Sequence, residues 1–122
     1  MSQEFEHLKN RIVLGFIENV EIVSELKPNK TLQARIDTGA QKSSIDQALA
    51  KELDLGPVIK EKIIKQSTGS EMRPIIKVTT IIHGKEISGL FTIADRSNMK
   101  YPILIGQNLL KKGGFLIDPQ KQ

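Results

Sequence analysis

A chain of 122 residues with 18 basic and 14 acidic side chains, a net charge of +4 and no cysteine is long enough to bury one modest core without disulfides. Apolar residues make up 39% of it and aromatics only 4%, which predicts a strand-rich aliphatic core rather than aromatic clusters. Charged residues interrupt every apolar run before the ~20 residues that a membrane helix needs, and the polar start Met1 to Asn10 lacks the apolar stretch of a secretory signal. One cytoplasmic domain over 1–122 is therefore expected, with 1–11 as a flexible lead-in. The positive charges are scattered, densest at Lys60, Lys62 and Lys65 and at Lys111-Lys112, and no aromatics are interleaved to stack on bases. That pattern reads as a solvated basic surface able to attract an acidic peptide, and it argues against a nucleic-acid partner.

In chain order, Ile12 to Val23 carries aliphatic residues broken by Gly15 and Asn19 and is expected to form two short strands or one bent strand. Pro28-Asn29-Lys30 is a turn, and Thr31 to Ile36 alternates apolar and polar positions as a strand running into Asp37. Ser43 to Asp46 pairs briefly, and Asp46 is a candidate N-cap for a short helix over Gln47 to Leu53, closed by Gly56-Pro57. Val58 to Gln66 and Met72 to Ile82 flank Ser67-Thr68-Gly69-Ser70 as a hairpin with Gly69 at its tip. His83-Gly84-Lys85 turns the chain into a strand over Ile87 to Ala94. Asp95 to Pro102 is a polar loop, Ile103-Leu104-Ile105-Gly106 a buried strand, and Gln107 to Lys112 a helix stopped by Gly113-Gly114 before a last strand, Phe115 to Asp118.

The chemistry-bearing stretch is Arg35-Ile36-Asp37-Thr38-Gly39-Ala40. Asp37 can act as acid or base, the Thr38 hydroxyl can lock the loop by hydrogen bonding, and Gly39 permits a backbone path that a side chain would obstruct. Asp, Thr and Gly are also ordinary turn residues, and such a tripeptide occurs by chance in on the order of one in twenty chains of this length. The motif therefore needs support from elsewhere. That support comes about sixty-five residues later, in Tyr101-Pro102-Ile103-Leu104-Ile105-Gly106-Gln107-Asn108-Leu109-Leu110 followed by Gly113-Gly114-Phe115.

With both signatures in this order the chain resembles the retropepsin-like aspartic proteases, and within them the microbial branch associated with RimK-type ATP-grasp ligases. The Asp loop, Ser43-Ser44, Asp95 to Pro102 and Phe115 to Asp118 carry the narrower likeness, which spans about Ile12 to Pro119. The resemblance implies a mainly β, retropepsin-like acid-protease half-barrel with short helices, closed by homodimerisation. It implies Asp37, Thr38 and Gly39 as catalytic residues and Ala40 and Ser43, with Ser44 beside it, on the substrate. The hairpin Ile63 to Met72 becomes a flap with Ser67, Thr68 and Gly69 over the cleft. Ile103, Leu104, Ile105, Gly106 and Asn108 support the site, with Gly106 allowing close backbone approach beneath the Asp loop.

An aspartic protease needs two carboxylates sharing a proton, and Asp46, Asp54, Asp95 and Asp118 all lack the Thr-Gly that follows Asp37. The second carboxylate is expected from a second copy of the chain, giving an aspartic endopeptidase that acts on extended peptides. The implied substrate is a peptide or glutamate-extended tail, with a functional link to an ATP-grasp ligase. The alternative is a catalytically weak or inactive dimerisation or peptide-binding module; an RNA-binding β domain would leave both signatures as coincidence. The module reading gains from a departure: viral retropepsins pair an acidic residue after Asp-Thr-Gly-Ala with an Arg after the second glycine, and here those places hold Gln41-Lys42 and Gln107. The branch carries the label ATP-dependent zinc protease. With only His7 and His83, no cysteine, no His-Glu-x-x-His and no Gly-rich phosphate loop, no metal and no cofactor are expected.

Overall fold

Alternation of apolar and polar side chains shapes most of the chain into strands, one face of each turned to a shared aliphatic core. The computed structural model describes Leu8 and residues 10–121. The rest of the expected lead-in lies outside the described residues; the part inside turns so that the Arg11 N–H donates to the Leu8 carbonyl at 3.0 Å. β1 (Val13–Leu14) and β2 (Ile17–Val23) realise the two-strand reading of the first segment. Then come β3 (Lys30–Ile36), β4 (Ser43–Asp46), helix α1 (Gln47–Glu52), β5 (Val58–Gln66), β6 (Gly69–Ile82), β7 (Lys85–Ala94), β8 (Ile103–Ile105), helix α2 (Gln107–Gly113) and β9 (Leu116–Ile117).

Seven strands form one mixed sheet in the order β2-β3-β8-β4-β7-β6-β5, and an added pairing of β2 with β6 curls it back on itself into a barrel-like half. β1 and β9 pair in parallel as a separate two-stranded sheet. The mainly β half-barrel with short helices expected from the sequence is what forms. Val20, Ile22, Ile45, Ile76, Phe91 and Ile103 are fully buried at its centre. Thr80, also buried, keeps its hydroxyl satisfied by donating to the Ile87 carbonyl at 2.8 Å, as a buried polar group must.

Local chemistry sets the ends of these elements. Asp46 caps α1 by accepting from the Ala48 N–H, and α2 ends at Gly114 in the left-handed region, φ 62°, where a Cβ would be strained. His83 and Gly84 turn β6 into β7 with φ of 49° and 79°, the pair of positive angles that a two-residue hairpin turn requires. The β5–β6 hairpin departs from expectation at its tip. Gln66 pairs with Gly69, so Ser67 and Thr68 make the turn and Gly69, φ 133°, opens the returning strand. Glycine is used there for the angle at which the strand begins, one step past the tip itself.

Candidate active site

β3, the second strand in the sheet order, delivers Asp37 beside β8. Ile36 pairs with Ile105 across the parallel β3–β8 ladder, and the Asp37 N–H continues that ladder by donating to the Ile105 carbonyl at 2.9 Å. The β8 strand therefore lies beside the Asp loop, hydrogen-bonded to its first residue, where the sequence suggested that it passes beneath. Asp37 Oδ1 accepts from the Gly39 N–H at 2.9 Å, and the Ala40 N–H closes the turn on the Asp37 carbonyl at 3.3 Å. Among the described residues no protein donor reaches Oδ2. The carboxylate is thus oriented through one oxygen, and Asp37 lines a cleft.

Gly39 has a φ outside the left-handed region, and its role differs from the backbone freedom expected of it. A Cβ there would stand 3.3 Å from Asp37 Oδ1, so the glycine leaves room for the carboxylate. Gly106 meets its expectation in a stricter form: a Cβ would stand 2.2 Å from the Lys42 carbonyl oxygen and 2.8 Å from that of Ala40. Both are backbone atoms, and neither can swing aside. The lock on the loop also differs. It is the Thr38 carbonyl, accepting from Gln107 Nε2 at 2.8 Å, that ties the turn to α2, while the Gln107 and Asn108 N–H groups donate to Ala40 and Gln41 carbonyls at 2.7 and 3.2 Å. Gln107 thus braces the loop within one chain.

Ser43 stands apart from the other expected substrate residues. It is fully buried, its hydroxyl donates to Asn108 Oδ1 at 2.8 Å and accepts from the Gly106 N–H at 2.9 Å. Asn108 in turn donates through Nδ2 to the Leu90 carbonyl at 2.9 Å. Its place on the core face of β4 makes Ser43 a strut between α2 and β7 and puts Ser44, its neighbour, on the opposite face. Ala40 is half-buried in the loop, and Ser67, Thr68 and Gly69 are exposed at the hairpin end.

The registers define what that opposite face presents. Arg35 pairs with Leu104, Leu104 with Ser44, Ser44 with Thr92, Thr92 with Ile75 and Ile75 with Lys60. Residues directly opposite one another share a face, so this row is a floor running from the strand of Asp37 to the hairpin. Two clefts open on it. One, of about 340 Å³, is lined by Phe16, Ile17, Arg35, Ile36, Asp37, Thr38 and Tyr101; the other, of about 230 Å³, by Lys42, Lys60, Glu61, Lys62, Ile75, Leu90 and Thr92. Tyr101 is set by the polar loop before it, whose Arg96 donates from Nε to the Tyr101 carbonyl at 3.1 Å and from its N–H to Asp46 Oδ1 at 2.8 Å. Burial holds the Arg96 guanidinium below its ordinary value, with the nearby Asp46 carboxylate opposing that shift. Two hydrogen bonds from Ser97 lower the exposed Asp95 carboxyl in the same loop.

Sequence reasoning missed Arg35, Phe16 and Tyr101 as neighbours of Asp37. Arg35 was legible in principle, since two residues apart on a strand means one face; Phe16 and Tyr101 arrive through pairings that no local pattern announces. For metal binding, no three His, Cys, Asp or Glu side chains converge among the described residues, and His83 is engaged with Glu18 at 2.8 Å. The donor set does not fit a zinc site. Nor, among the described residues, is any helix long and apolar enough to cross a membrane.

Against known families, residues 46–122 match the model described as RimB-like, retropepsin-like aspartic endopeptidase RimB. The chain belongs to that family. The matched stretch holds the hairpin, the Ile103 to Gly106 strand and α2; the Asp loop lies just before it. Solved structures extend the likeness across the loop. A protein of unknown function from Legionella pneumophila has a TM-score of 0.62 at 18% identity, covering 91% of this chain and 95% of its own. The protease of simian foamy virus, known from a solution structure, has a TM-score of 0.61 at 18% identity over 78% of this chain and 91% of its own. At such identities the likeness speaks for the fold. No curated protein matches the chain.

Proposed function

We propose that the chain, taken as one domain over 1–122, is an aspartic endopeptidase acting on extended peptides, its dyad formed by Asp37 from each of two subunits. The observation that carries this reading is the setting of Asp37: a carboxylate at a strand end, oriented by the Gly39 N–H, its backbone N–H held by the Ile105 carbonyl, in the lining of a cleft of about 340 Å³. One chain supplies one such loop, and a closed two-fold assembly supplies the other. In the dyad the two carboxyl groups share a proton. The ionised one takes a proton from water as it attacks the scissile carbonyl, the protonated one donates to the carbonyl oxygen, and collapse of the tetrahedral intermediate returns a proton to the leaving amine. Thr38 and Gly39 shape that loop, Ala40 borders the substrate, and the hairpin closes over it with Ser67, Thr68 and Gly69 at its end.

The narrower reading places the chain in the RimK-associated branch, its substrate an acidic, glutamate-extended peptide made by an ATP-grasp partner. In its favour are the family to which the chain belongs and the basic residues at both ends of the floor, Arg35 and Lys60. A second reading, a peptide-binding module without catalysis, rests on Gln41, Lys42 and Gln107 at the positions where viral relatives brace the dimer with charges.

One experiment separates these readings. Wild type and Asp37→Asn are incubated with a diverse peptide library from acidic to neutral pH and the products read by mass spectrometry. Cleavage by wild type alone is expected, with the variant reduced by at least about a thousandfold, as for loss of an essential acid-base group. Equal cleavage by both would sink the dyad, and peptide binding without cleavage in either would favour the module.

A further inference from the structure

The cleft of about 230 Å³ at the base of the hairpin is lined by three lysines against one glutamate, a surplus of two positive charges. Lys60 and Lys62 sit two apart on β5, so their side chains leave the same face. Lys42 comes from a separate element, the loop that joins Asp37 to β4. The hairpin and the Asp loop therefore bring like charges toward one space, with apolar walls from Ile75 and Leu90 that strengthen any electrostatic interaction inside it. Arg73 adds to the imbalance. It is directly opposite Lys62, and although its Nη2 reaches Glu71 at 3.4 Å, its Nε is buried without an acceptor among the described residues. A buried donor without an acceptor and a pair of like charges across a ladder each cost stability. An anionic group beside Lys62 relieves the second of these costs.

We infer that Lys42, Lys60 and Lys62 form a carboxylate subsite that gates the hairpin: it closes on the Asp loop when the substrate places an acidic side chain between them. This rests on the endopeptidase reading of the same cleft and adds to it a position and a switch. The cleft is lined from β7, β6 and β5, three to five strands from β3 in the sheet, about 14–24 Å along it, or roughly four to seven residues of extended peptide. The gating acid stands that far from the bond cleaved. A substrate without it leaves the lysines repelling one another and the hairpin open, so selection acts at closure, where water is excluded and the site completed.

The test uses oligopeptides that differ only by a single Glu or Gln, scanned through each position around a cleaved bond. With wild type, Glu is expected to raise kcat/KM about tenfold over Gln at one position roughly four to seven residues away and little elsewhere. With Lys42→Gln/Lys60→Gln/Lys62→Gln the two peptides become equal, and in wild type 1 M salt narrows the gap as screening predicts. A second arm is independent of catalysis. In Asp37→Asn, hydrogen exchange of the β5 and β6 amides slows severalfold with the Glu peptide and not with its Gln counterpart. Equal handling of Glu and Gln by active wild type, or no protection of the hairpin by the Glu peptide, overturns the gate and leaves the peptidase standing. Protection without cleavage by wild type overturns the peptidase and leaves the subsite.

Discussion

Two glycines three residues or fewer from a chemical group in this site do different work, and a methyl group distinguishes them. At Gly106 the added carbon meets two carbonyl oxygens of the Asp loop at 2.2 and 2.8 Å, so either the loop or α2 must shift. Gly106→Ala is expected to cost ~3 kcal/mol, the upper range of an overpacked core, read as a lowered midpoint in urea unfolding. At Gly39 the nearest atom is Asp37 Oδ1 at 3.3 Å, the end of a side chain that can rotate. Gly39→Ala is expected to keep the midpoint within about 0.5 kcal/mol, the range of ordinary surface changes, while kcat falls because the carboxylate has been turned. A Gly106→Ala protein as stable as wild type would show that the packing of α2 against the loop has been misread. The sequence named both glycines, with backbone freedom as the reason at Gly39 and close approach at Gly106; what each one clears needed the distance from it to what lies across the fold.

At the level of elements, Glu18 ties three of them together. At the start of β2 it accepts from the Gly15 N–H at 2.6 Å, from His83 Nε2 in the β6–β7 turn at 2.8 Å and from Lys121 Nζ near the chain end at 3.0 Å. Burial raises its carboxyl, but the hydrogen bonds and the lysine charge outweigh it, and the net shift is below 4.5. A lowered folded-state value means that the stabilisation is present above the unfolded value and is lost as pH falls through the folded one. Glu18→Gln is expected to cost roughly 1–3 kcal/mol at pH 7, as for bonds to a charged acceptor, with wild type converging on the variant below 4.5. Urea midpoints of both proteins from pH 7 down to 3 check this; a gap that stays constant into acid refutes it. Such a cluster shows where sequence reading runs out. The cap at Asp46, the His83-Gly84 turn and the Gly114 stop are local chemistry and were legible. Glu18 with Lys121, Ser43 with Asn108 and the parallel β3–β8 and β4–β7 ladders join residues far apart in the chain, and only the closed sheet brings them together. Ser43 is the instructive case. Its hydroxyl suggested contact with substrate, yet one position of strand alternation separates it from Ser44 and from the cleft.

For the whole molecule the decisive question is whether one polypeptide holds an active site. On the proposed dyad the chain presents half of one: a single Asp-Thr-Gly loop on a floor that is basic at both ends, and a half-barrel whose β1–β9 sheet stands apart from the main one. The viral brace of charges is absent at Gln41, Lys42 and Gln107, but the bond from Gln107 to the Thr38 carbonyl fixes the loop before any partner arrives. The loop is thus fixed within one chain, and on the proposed dyad the chemistry waits for a second copy. That combination makes activity steeply concentration-dependent near the dimer dissociation constant, and it makes an inactive subunit a poison. Asp37→Asn in tenfold excess over wild type, equilibrated so that subunits exchange, leaves about one wild-type subunit in eleven with a wild-type partner under random pairing of a closed two-fold dimer. Activity per wild-type subunit is expected to fall about tenfold, with no such fall when the excess protein is an unrelated carrier. If the variant leaves that activity unchanged while sedimentation shows mixed dimers forming, one Asp37 suffices and the shared-proton dyad is wrong.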